Sequence, residues 1–91
     1  MHPYEAVFAR KAVEFLLRAS DDEVAEVEAW MRRVERAPYT PGDYIERDEA
    51  WRDLQVAVLT STALTYWADH AVCEVRICRI ERLHDQRLRR P

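Results

Sequence analysis

Residues 62–83, TALTYWADHAVCEVRICRIERL, give the clearest indication of the architecture. It is rich in Thr, Tyr, Trp, Val and Ile, the residue types that favour β-strands. It is interrupted once, near Asp69-His70, so we predict two strands, over residues 63–68 and 72–80. A further strand is predicted over 54–59, before the polar turn 60–62. Because short connections join antiparallel neighbours, the three strands predict a meander.

The first half of the chain is predicted to hold two helices between short strands. Apolar spacing and turn residues predict a strand over 4–8, helices over 10–19 and from Ser20 to about residue 36, and a strand over 44–47. Ser20 and Glu23 have the spacing of a capping box. The order β-α-α-β-β-β-β predicts a two-layer α+β domain, with a mainly antiparallel sheet and two helices packed on one face. The order alone does not give the pairing of the first strand.

Length and composition limit the class of protein. The chain has 91 residues, 48% of them hydrophobic, which predicts one globular domain over residues 1–91. It has no apolar run of about 18 residues and no apolar leader, so we expect a cytoplasmic protein without a membrane span. Cys73 and Cys78 are both placed on the last strand, too far apart for a disulfide, and are expected to be reduced. No histidine or cysteine spacing indicates zinc, so no metal or other cofactor is expected.

Charge is unevenly distributed along the chain. The net charge is −3, with 7 basic and 12 acidic side chains in residues 1–50 against 7 and 5 in residues 51–91. Arginine outnumbers lysine 13 to 1, and its planar guanidinium suits two-point contacts with phosphate or carboxylate groups. The overall acidity argues against non-specific binding to nucleic acid.

Three segments together resemble the RelE/ParE superfamily, the toxin components of bacterial type II toxin–antitoxin systems. YEAVFARKAVEFLL (4–17) is similar to the opening strand and helix of that family, WMRRVERAP (30–38) to the end of its second helix, and ALTYWADHAVCEVRICRIERL (63–83) to its paired strands. With the element order, the resemblance covers nearly the whole chain.

The resemblance implies growth inhibition, plasmid stabilisation and an antitoxin as protein partner. It implies two activities: a metal-independent, ribosome-dependent mRNA endoribonuclease that inhibits translation, or a ParE-type inhibitor of DNA gyrase that needs no catalytic residues. A third hypothesis is a non-toxic, partner-binding member of the same fold. An mRNA-cutting member needs cations that gather phosphates and stabilise a charged transition state.

The chain departs from the family pattern at basic positions. Leu64 stands where ribosome-dependent members commonly have an arginine, and Glu81-Arg82 stands in place of a His-Arg pair. The lysines of active members are missing, and the nearest basic residues are Arg47 and Arg52. These departures weaken the nuclease hypothesis more than they weaken the expected fold.

The last predicted strand carries the first candidate site residue. Alternation along the strand places Arg76 on the face of the sheet away from the helices, near Trp67 of the neighbouring strand. One interpretation is a phosphate-binding arginine beside a base-stacking aromatic ring. The other is a structural arginine that pairs with Glu74 or Asp69, or rests on Trp67.

The remaining candidates each have a structural alternative. Arg82 is the best positional match to an active-site arginine of the family, and His84 has the chemistry of an acid or base near neutral pH; solvent exposure is the alternative for both. Tyr66 is predicted in the core rather than as an acid. Trp51 is either an exposed interface anchor or folds over the sheet edge. The candidate catalytic residues are Arg76, Arg82 and His84. The candidate RNA- or partner-binding residues are Arg47, Trp51, Arg52, Trp67 and Arg79.

Overall fold

The computed structural model of the protein describes residues 3–83. Its elements are β1 (Glu5–Phe8), α1 (Arg10–Arg18), α2 (Asp21–Arg36), β2 (Tyr44–Arg47), β3 (Asp53–Val58), β4 (Thr62–Asp69) and β5 (Glu74–Arg82). The predicted order β-α-α-β-β-β-β is therefore confirmed. The last strand begins two residues later than predicted, because the turn before it occupies residues 70–73.

The five strands form one sheet in the order β1-β5-β4-β3-β2. The pairs β2/β3, β3/β4 and β4/β5 are antiparallel, which confirms the predicted meander. β1 lies at the opposite edge from β2 and pairs in parallel with β5. This pairing was not readable from the sequence, because it joins segments nearly 70 residues apart.

Both helices pack on one face of the sheet, as predicted. The helices contribute Ala12, Val27, Trp30 and Val34 to the core, and the sheet contributes Ala57, Leu64, Tyr66, Val75, Ile77 and Ile80. Burial of these side chains removes apolar surface from water and supplies the main stabilising free energy of the domain. The other face of the sheet carries no helix in residues 3–83, and we call it the open face.

A capping box separates the two helices. Ala19 is extended, and Ser20 is the N-cap of α2. The Ser20 hydroxyl accepts a hydrogen bond from Glu23 N at 3.2 Å, and the Glu23 carboxylate accepts one from Ser20 N at 2.9 Å. The predicted capping box is confirmed, and it satisfies two backbone donors that the helix itself leaves unpaired.

A β-bulge divides the pairing between β4 and β5. Thr65 pairs with Arg79 and Tyr66 with Ile77, so Cys78 has no opposite residue on β4. The extra residue reverses the alternation of side chains along β5. Ile77 and Ile80 are consequently both buried against the helices, and Arg76 and Arg79 share the open face.

The cysteines are free, but they are not on one strand. Cys73 lies in the turn before β5 with a φ of 54°, and Cys78 lies at the bulge. The expectation that both cysteines belong to the last strand was therefore wrong for Cys73. The cause is the longer turn, which delays the start of β5.

The loop before β2 needs a glycine because it crosses the backbone of β3. Gly42 N donates to Gln55 Oε1 at 2.8 Å. A Cβ at position 42 would lie 2.6–2.8 Å from three backbone atoms of Val56. Backbone atoms of a central strand do not move aside easily, so only glycine fits here without displacement.

We expect Gly42→Ala to lower the free energy of unfolding by about 1–3 kcal/mol, because the added methyl group overpacks against the Val56 backbone. Urea denaturation followed by circular dichroism measures the change. Glu49→Ala, in an exposed turn, is the control and should stay within about 0.5 kcal/mol of the wild type. Equal stability of the two variants would contradict the close approach.

Candidate functional site: the open face of the sheet

A tryptophan with two guanidinium groups lies near the middle of the open face. Trp67 on β4 is directly opposite Arg76 on β5. The Arg76 guanidinium carbon lies 5.7 Å from the centre of the Trp67 ring, and that of Arg52, from the β2–β3 turn, lies 4.4 Å from it. Both distances are within the range of cation–π attraction. The sequence placed Arg76 near Trp67; the structure adds Arg52.

Two carboxylates from neighbouring positions bind Arg76. Its Nη2 lies 2.9 Å from Glu74 Oε1, and its Nε lies 3.5 Å from Asp69 Oδ2. The contacts of the structural interpretation, to Glu74, Asp69 and Trp67, are therefore all present. They hold the guanidinium in place on the open face, and any ligand has to compete with them. A role for Arg76 in binding or catalysis stays a prediction.

Arg79 connects two strands that are not neighbours. Its Nη2 donates to Glu46 Oε2 on β2 at 2.7 Å and to Thr65 Oγ1 on β4 at 3.2 Å. Its Nε forms an ion pair with Glu81 at 2.7 Å. Since β4 and β3 lie between β5 and β2, the side chain crosses the open face. Burial disfavours the charged form of Arg79, but the hydrogen bonds and charges of Glu46 and Glu81 outweigh burial and raise its pKa.

The turn between β2 and β3 is organised by one carboxylate. Asp48 Oδ1 accepts hydrogen bonds from Ala50 N at 2.9 Å and Arg52 N at 2.8 Å, and its Oδ2 pairs with Arg52 Nε at 3.2 Å. This arrangement directs Arg52 towards Trp67. Trp51 has a φ of 61° and is 77% exposed, so it does not fold over the sheet edge. Of its two predicted positions, the structure shows the exposed one.

Among residues 3–83, carboxylates outnumber guanidinium groups on the open face. The arginines of the described chain that lie there are Arg52, Arg76 and Arg79. Their ion-pair partners are five carboxylates, those of Glu46, Asp48, Asp69, Glu74 and Glu81. Counted over these ion pairs, the candidate site carries a net negative charge. Glu74 and Asp69 were expected from the sequence as possible partners of Arg76, whereas Glu46, Asp48 and Glu81 were not.

Arg82 lies on the other side of the sheet, apart from Arg76. Its Nε donates to Glu23 Oε2 at 2.8 Å, its Nη2 donates to Glu23 Oε1 at 3.2 Å, and its guanidinium lies 4.8 Å from the Phe15 ring. Arg82 therefore joins β5 to the helix layer. The bulge explains the difference, because it reverses which side chains of β5 point towards the helices.

Only part of the predicted site comes together. Arg52, Trp67, Arg76 and Arg79 share the open face. Arg47 pairs with Asp53 at 3.0 Å on the side of β2 away from Glu46, and its guanidinium carbon is 5.7 Å from the centre of the Trp51 ring. His84 lies outside the described residues.

Cys78 belongs to the open-face cluster although the sequence analysis did not propose it as a site residue. It is the unpaired residue of the bulge, and burial raises the pKa of its thiol while the nearby Arg52 and Arg79 oppose that effect. The thiol is therefore predominantly protonated at neutral pH. No sequence signal identifies a bulge position, so this neighbour of the arginines was not predictable.

The prediction for Tyr66 is resolved by burial. Tyr66 is buried in the core, where its ring contacts Trp30 at 4.9 Å and its hydroxyl donates to Thr40 O at 3.2 Å. Burial, followed by the charge of Asp43, raises the pKa of Tyr66. The predicted core position is confirmed. His70, by contrast, lies outside the arginine cluster, in a turn where its Nδ1 is 2.6 Å from the Tyr4 hydroxyl.

Two further properties bear on the kind of site. Among residues 3–83, no three histidine, cysteine or acidic side chains are arranged to hold a metal ion. No helix of the described chain has the length and apolarity that crossing a membrane requires.

Comparison with known proteins identifies the fold. No protein-family description matches the chain, and no curated protein matches it. Among solved structures, it is similar to a chain in the crystal structure of the toxin–antitoxin complex RelBE2 from Mycobacterium tuberculosis. The two chains are 22% identical, the match covers 89% of this chain and 99% of that one, and the TM-score is 0.70. The chain has a RelE-like fold. The fold expected from the sequence resemblance is therefore confirmed.

We expect a double-mutant cycle of Arg79→Ala and Glu46→Ala to give a coupling energy of about 0.5–1 kcal/mol, because the pair joins β5 to β2 within a network of charges. Chemical denaturation of the four proteins measures it. The cycle of Arg76→Ala and Glu46→Ala, whose side chains do not pair, is the control and should give a value near zero. Equal coupling in both cycles would show that the Arg79–Glu46 contact does not hold the face together.

The ion pair on the helix side has a pH signature. The hydrogen bond from Ser20 N, followed by that from Arg82, lowers the pKa of Glu23 from its ordinary value of 4.5. A depressed acid pKa stabilises the folded state above the unfolded value, and this stability is lost as pH falls through the folded value. We therefore expect Glu23→Gln to reduce the acid sensitivity of unfolding between about pH 5 and pH 3. Thermal unfolding across that range measures it, and Glu28→Gln, an exposed variant of the same helix, should keep the wild-type profile.

Proposed function

We propose that the protein is the toxin component of a type II toxin–antitoxin system, and that it acts by binding its target rather than by cutting RNA. The observation that supports this mode of action is the pairing on the open face, where every arginine of the cluster is bound to carboxylates. The RelE-like fold supports the toxin role, as does the fact that its structural neighbour is a toxin–antitoxin complex.

The ion pairs make the open face a poor site for an RNA backbone. A phosphate that approaches Arg76 has to displace Glu74 and Asp69, and one that approaches Arg79 has to displace Glu46 and Glu81. The displaced carboxylates stay close by and repel the phosphate. Electrostatic attraction to phosphates supplies most of the sequence-independent affinity for nucleic acid. The net negative charge of this face repels phosphates instead.

The same groups are well suited to a protein partner. Arginine and tryptophan are enriched among the residues that dominate the binding energy of protein interfaces. The open face offers Trp67 with two guanidinium groups beside it, and its carboxylates add acceptors for basic or amide groups. We propose that the antitoxin covers this face and that the inhibited target, for which DNA gyrase is the candidate, binds there in the antitoxin's absence.

The ribosome-dependent mRNA endoribonuclease is the second candidate, and one observation favours it. Trp67, Arg52 and Arg76 combine an aromatic ring with two cations, which is the combination that binds single-stranded nucleic acid by stacking and charge. In this hypothesis ribosome-bound mRNA supplies the base for Trp67, and Arg76 stabilises the charge of the transition state. Removing such a charge donor costs roughly 10²–10³-fold in rate.

Growth of a bacterial host under induced expression separates the two candidates. The wild type is compared with Arg52→Gln/Arg76→Gln, and the 5′ ends of cellular mRNA are mapped in each culture. Arg32→Gln/Arg36→Gln, on the exposed surface of α2, is the matched control with the same change of charge. Purified protein is tested in parallel for inhibition of gyrase supercoiling.

We expect growth arrest without new mRNA ends, and inhibition of supercoiling that the open-face variant weakens and the α2 control does not. Arrest with new mRNA ends that disappear in the open-face variant would establish the nuclease and refute action by binding. Normal growth of cells that contain folded wild-type protein would refute the toxin role in that host.

A further inference from the structure

The two edges of the sheet differ in whether side chains hydrogen-bond to their outward backbone groups. At the β1 edge, Ala6 N donates to Glu35 Oε2 of α2 at 2.8 Å. A helix side chain therefore accepts a hydrogen bond from a backbone group that points away from the sheet. At the β2 edge, no side chain of residues 3–83 hydrogen-bonds to the backbone of residues 44–47. An edge strand presents a row of backbone donors and acceptors to one side, and an uncovered row is a template for another strand.

Three large apolar side chains around the β2 edge are exposed. Ile45 is 59% and Tyr44 50% exposed, and Trp51 follows β2 in an exposed turn. Trp51 has a φ of 61°, a left-handed conformation that is unfavourable for a bulky side chain. The exposed indole gains little packing within its own chain in return. Strain and exposure of a large aromatic side chain at an uncovered edge indicate that the edge has a partner.

Strand geometry restricts how β2 pairs with a second copy of itself. Along a strand, the backbone N–H and C=O groups of successive residues point alternately to one side and to the other. Two residues that are directly opposite in an antiparallel pair either both direct these groups at each other or both direct them away. Residues 44 and 45 therefore cannot be opposite each other across a two-fold axis. Only a register that places one residue opposite its own copy is allowed, which leaves three centres within the edge: Tyr44, Ile45 or Glu46.

The charges of the segment select one of these centres. A centre at Glu46 places two carboxylates opposite each other, which is unfavourable. A centre at Tyr44 places Asp43 opposite Ile45. A centre at Ile45 places the two Ile45 side chains together, Tyr44 opposite Glu46, and Asp43 opposite Arg47, so that each copy contributes one acid and one base to two ion pairs.

We propose that two copies of the protein pair through their β2 strands, antiparallel and centred on Ile45, to form a symmetric dimer with one continuous sheet. The occupant of the edge is a second copy because the segment 43–47 is complementary to itself in charge. The dimer proposal does not rest on the proposed function, since it is argued from the sheet edge and not from the arginine cluster of the open face.

Asp43 and Arg47 each have polar atoms left for a further ion pair at this interface. Asp43 accepts from Val58 N at 2.6 Å with Oδ2, one of its two carboxylate oxygens. Arg47 uses Nε for Asp53 at 3.0 Å, one of the five donors of a guanidinium group. The ion pairs of the dimer therefore do not require the existing contacts to break.

The first test is analytical ultracentrifugation of the full chain over a concentration series. We expect a dimer for the wild type, a shift of at least tenfold towards monomer for Arg47→Glu, and recovery of the dimer in Asp43→Lys/Arg47→Glu, which restores the opposite charges. Circular dichroism verifies the fold of each variant. Arg32→Glu on α2 is the charge-matched control. A monomeric wild type, or a dimer that Arg47→Glu leaves unchanged, would overturn the proposal.

The second test fixes the register and does not depend on changing the interface charges. In a Cys73→Ser/Cys78→Ser background, Ile45→Cys places two thiols on the two-fold axis, where opposite Cα atoms lie about 4.5–5.5 Å apart, within reach of a disulfide. We expect rapid oxidation to a covalent dimer for Ile45→Cys and much slower oxidation for Glu49→Cys, an exposed control in the same region. Equal rates for the two variants would overturn the Ile45-centred register.

Discussion

The bulge at Cys78 is the constraint on which the two faces of this sheet depend. Without it, strict alternation would place Arg79 with Val75 and Ile77 on the helix side, where a guanidinium group has no place in an apolar core. With it, Ile80 completes the core and Arg79 joins Arg76 on the open face. One unpaired residue thus separates an apolar layer from a charged one along the same strand.

The second consequence of the bulge is that Arg79 joins a layer in which each arginine is paired with carboxylates. Arg79 reaches Glu46 on β2 and Glu81 on its own strand, while Arg76 is held by Glu74 and Asp69. Such pairs contribute little stability individually when they are exposed. Their larger effect is on recognition, because a cation that is already paired attracts a phosphate weakly. Counting arginines in a sequence therefore leaves out the carboxylates that compete with a phosphate for them.

The sequence predicted the fold well and the site only in part. The reason is that the fold depends on local signals and the site on the register of the strands. Element order depends on local signals, such as the capping box at Ser20 and the alternation along β4, and these were read correctly. The site depends on register. The position of a single bulge decides that Arg79 faces outward and Arg82 inward, and no local signal marks Cys78 as the residue that is skipped. The parallel pairing of β1 was also hidden, because contacts distant in the chain leave no periodicity.

The open face and the β2 edge are linked through one residue. The side chain of Glu46 holds Arg79 on the open face, while its backbone belongs to the strand whose outer edge is uncovered. A ligand that takes Arg79 away from Glu46 removes the contact that ties β2 to β5 across two intervening strands. Because β2 has only four residues and one neighbouring strand, it depends on that contact more than the longer strands do. The proposed binding at the open face and the proposed pairing at the edge therefore share Glu46, and a ligand that keeps the Arg79–Glu46 bond affects the edge differently from one that breaks it.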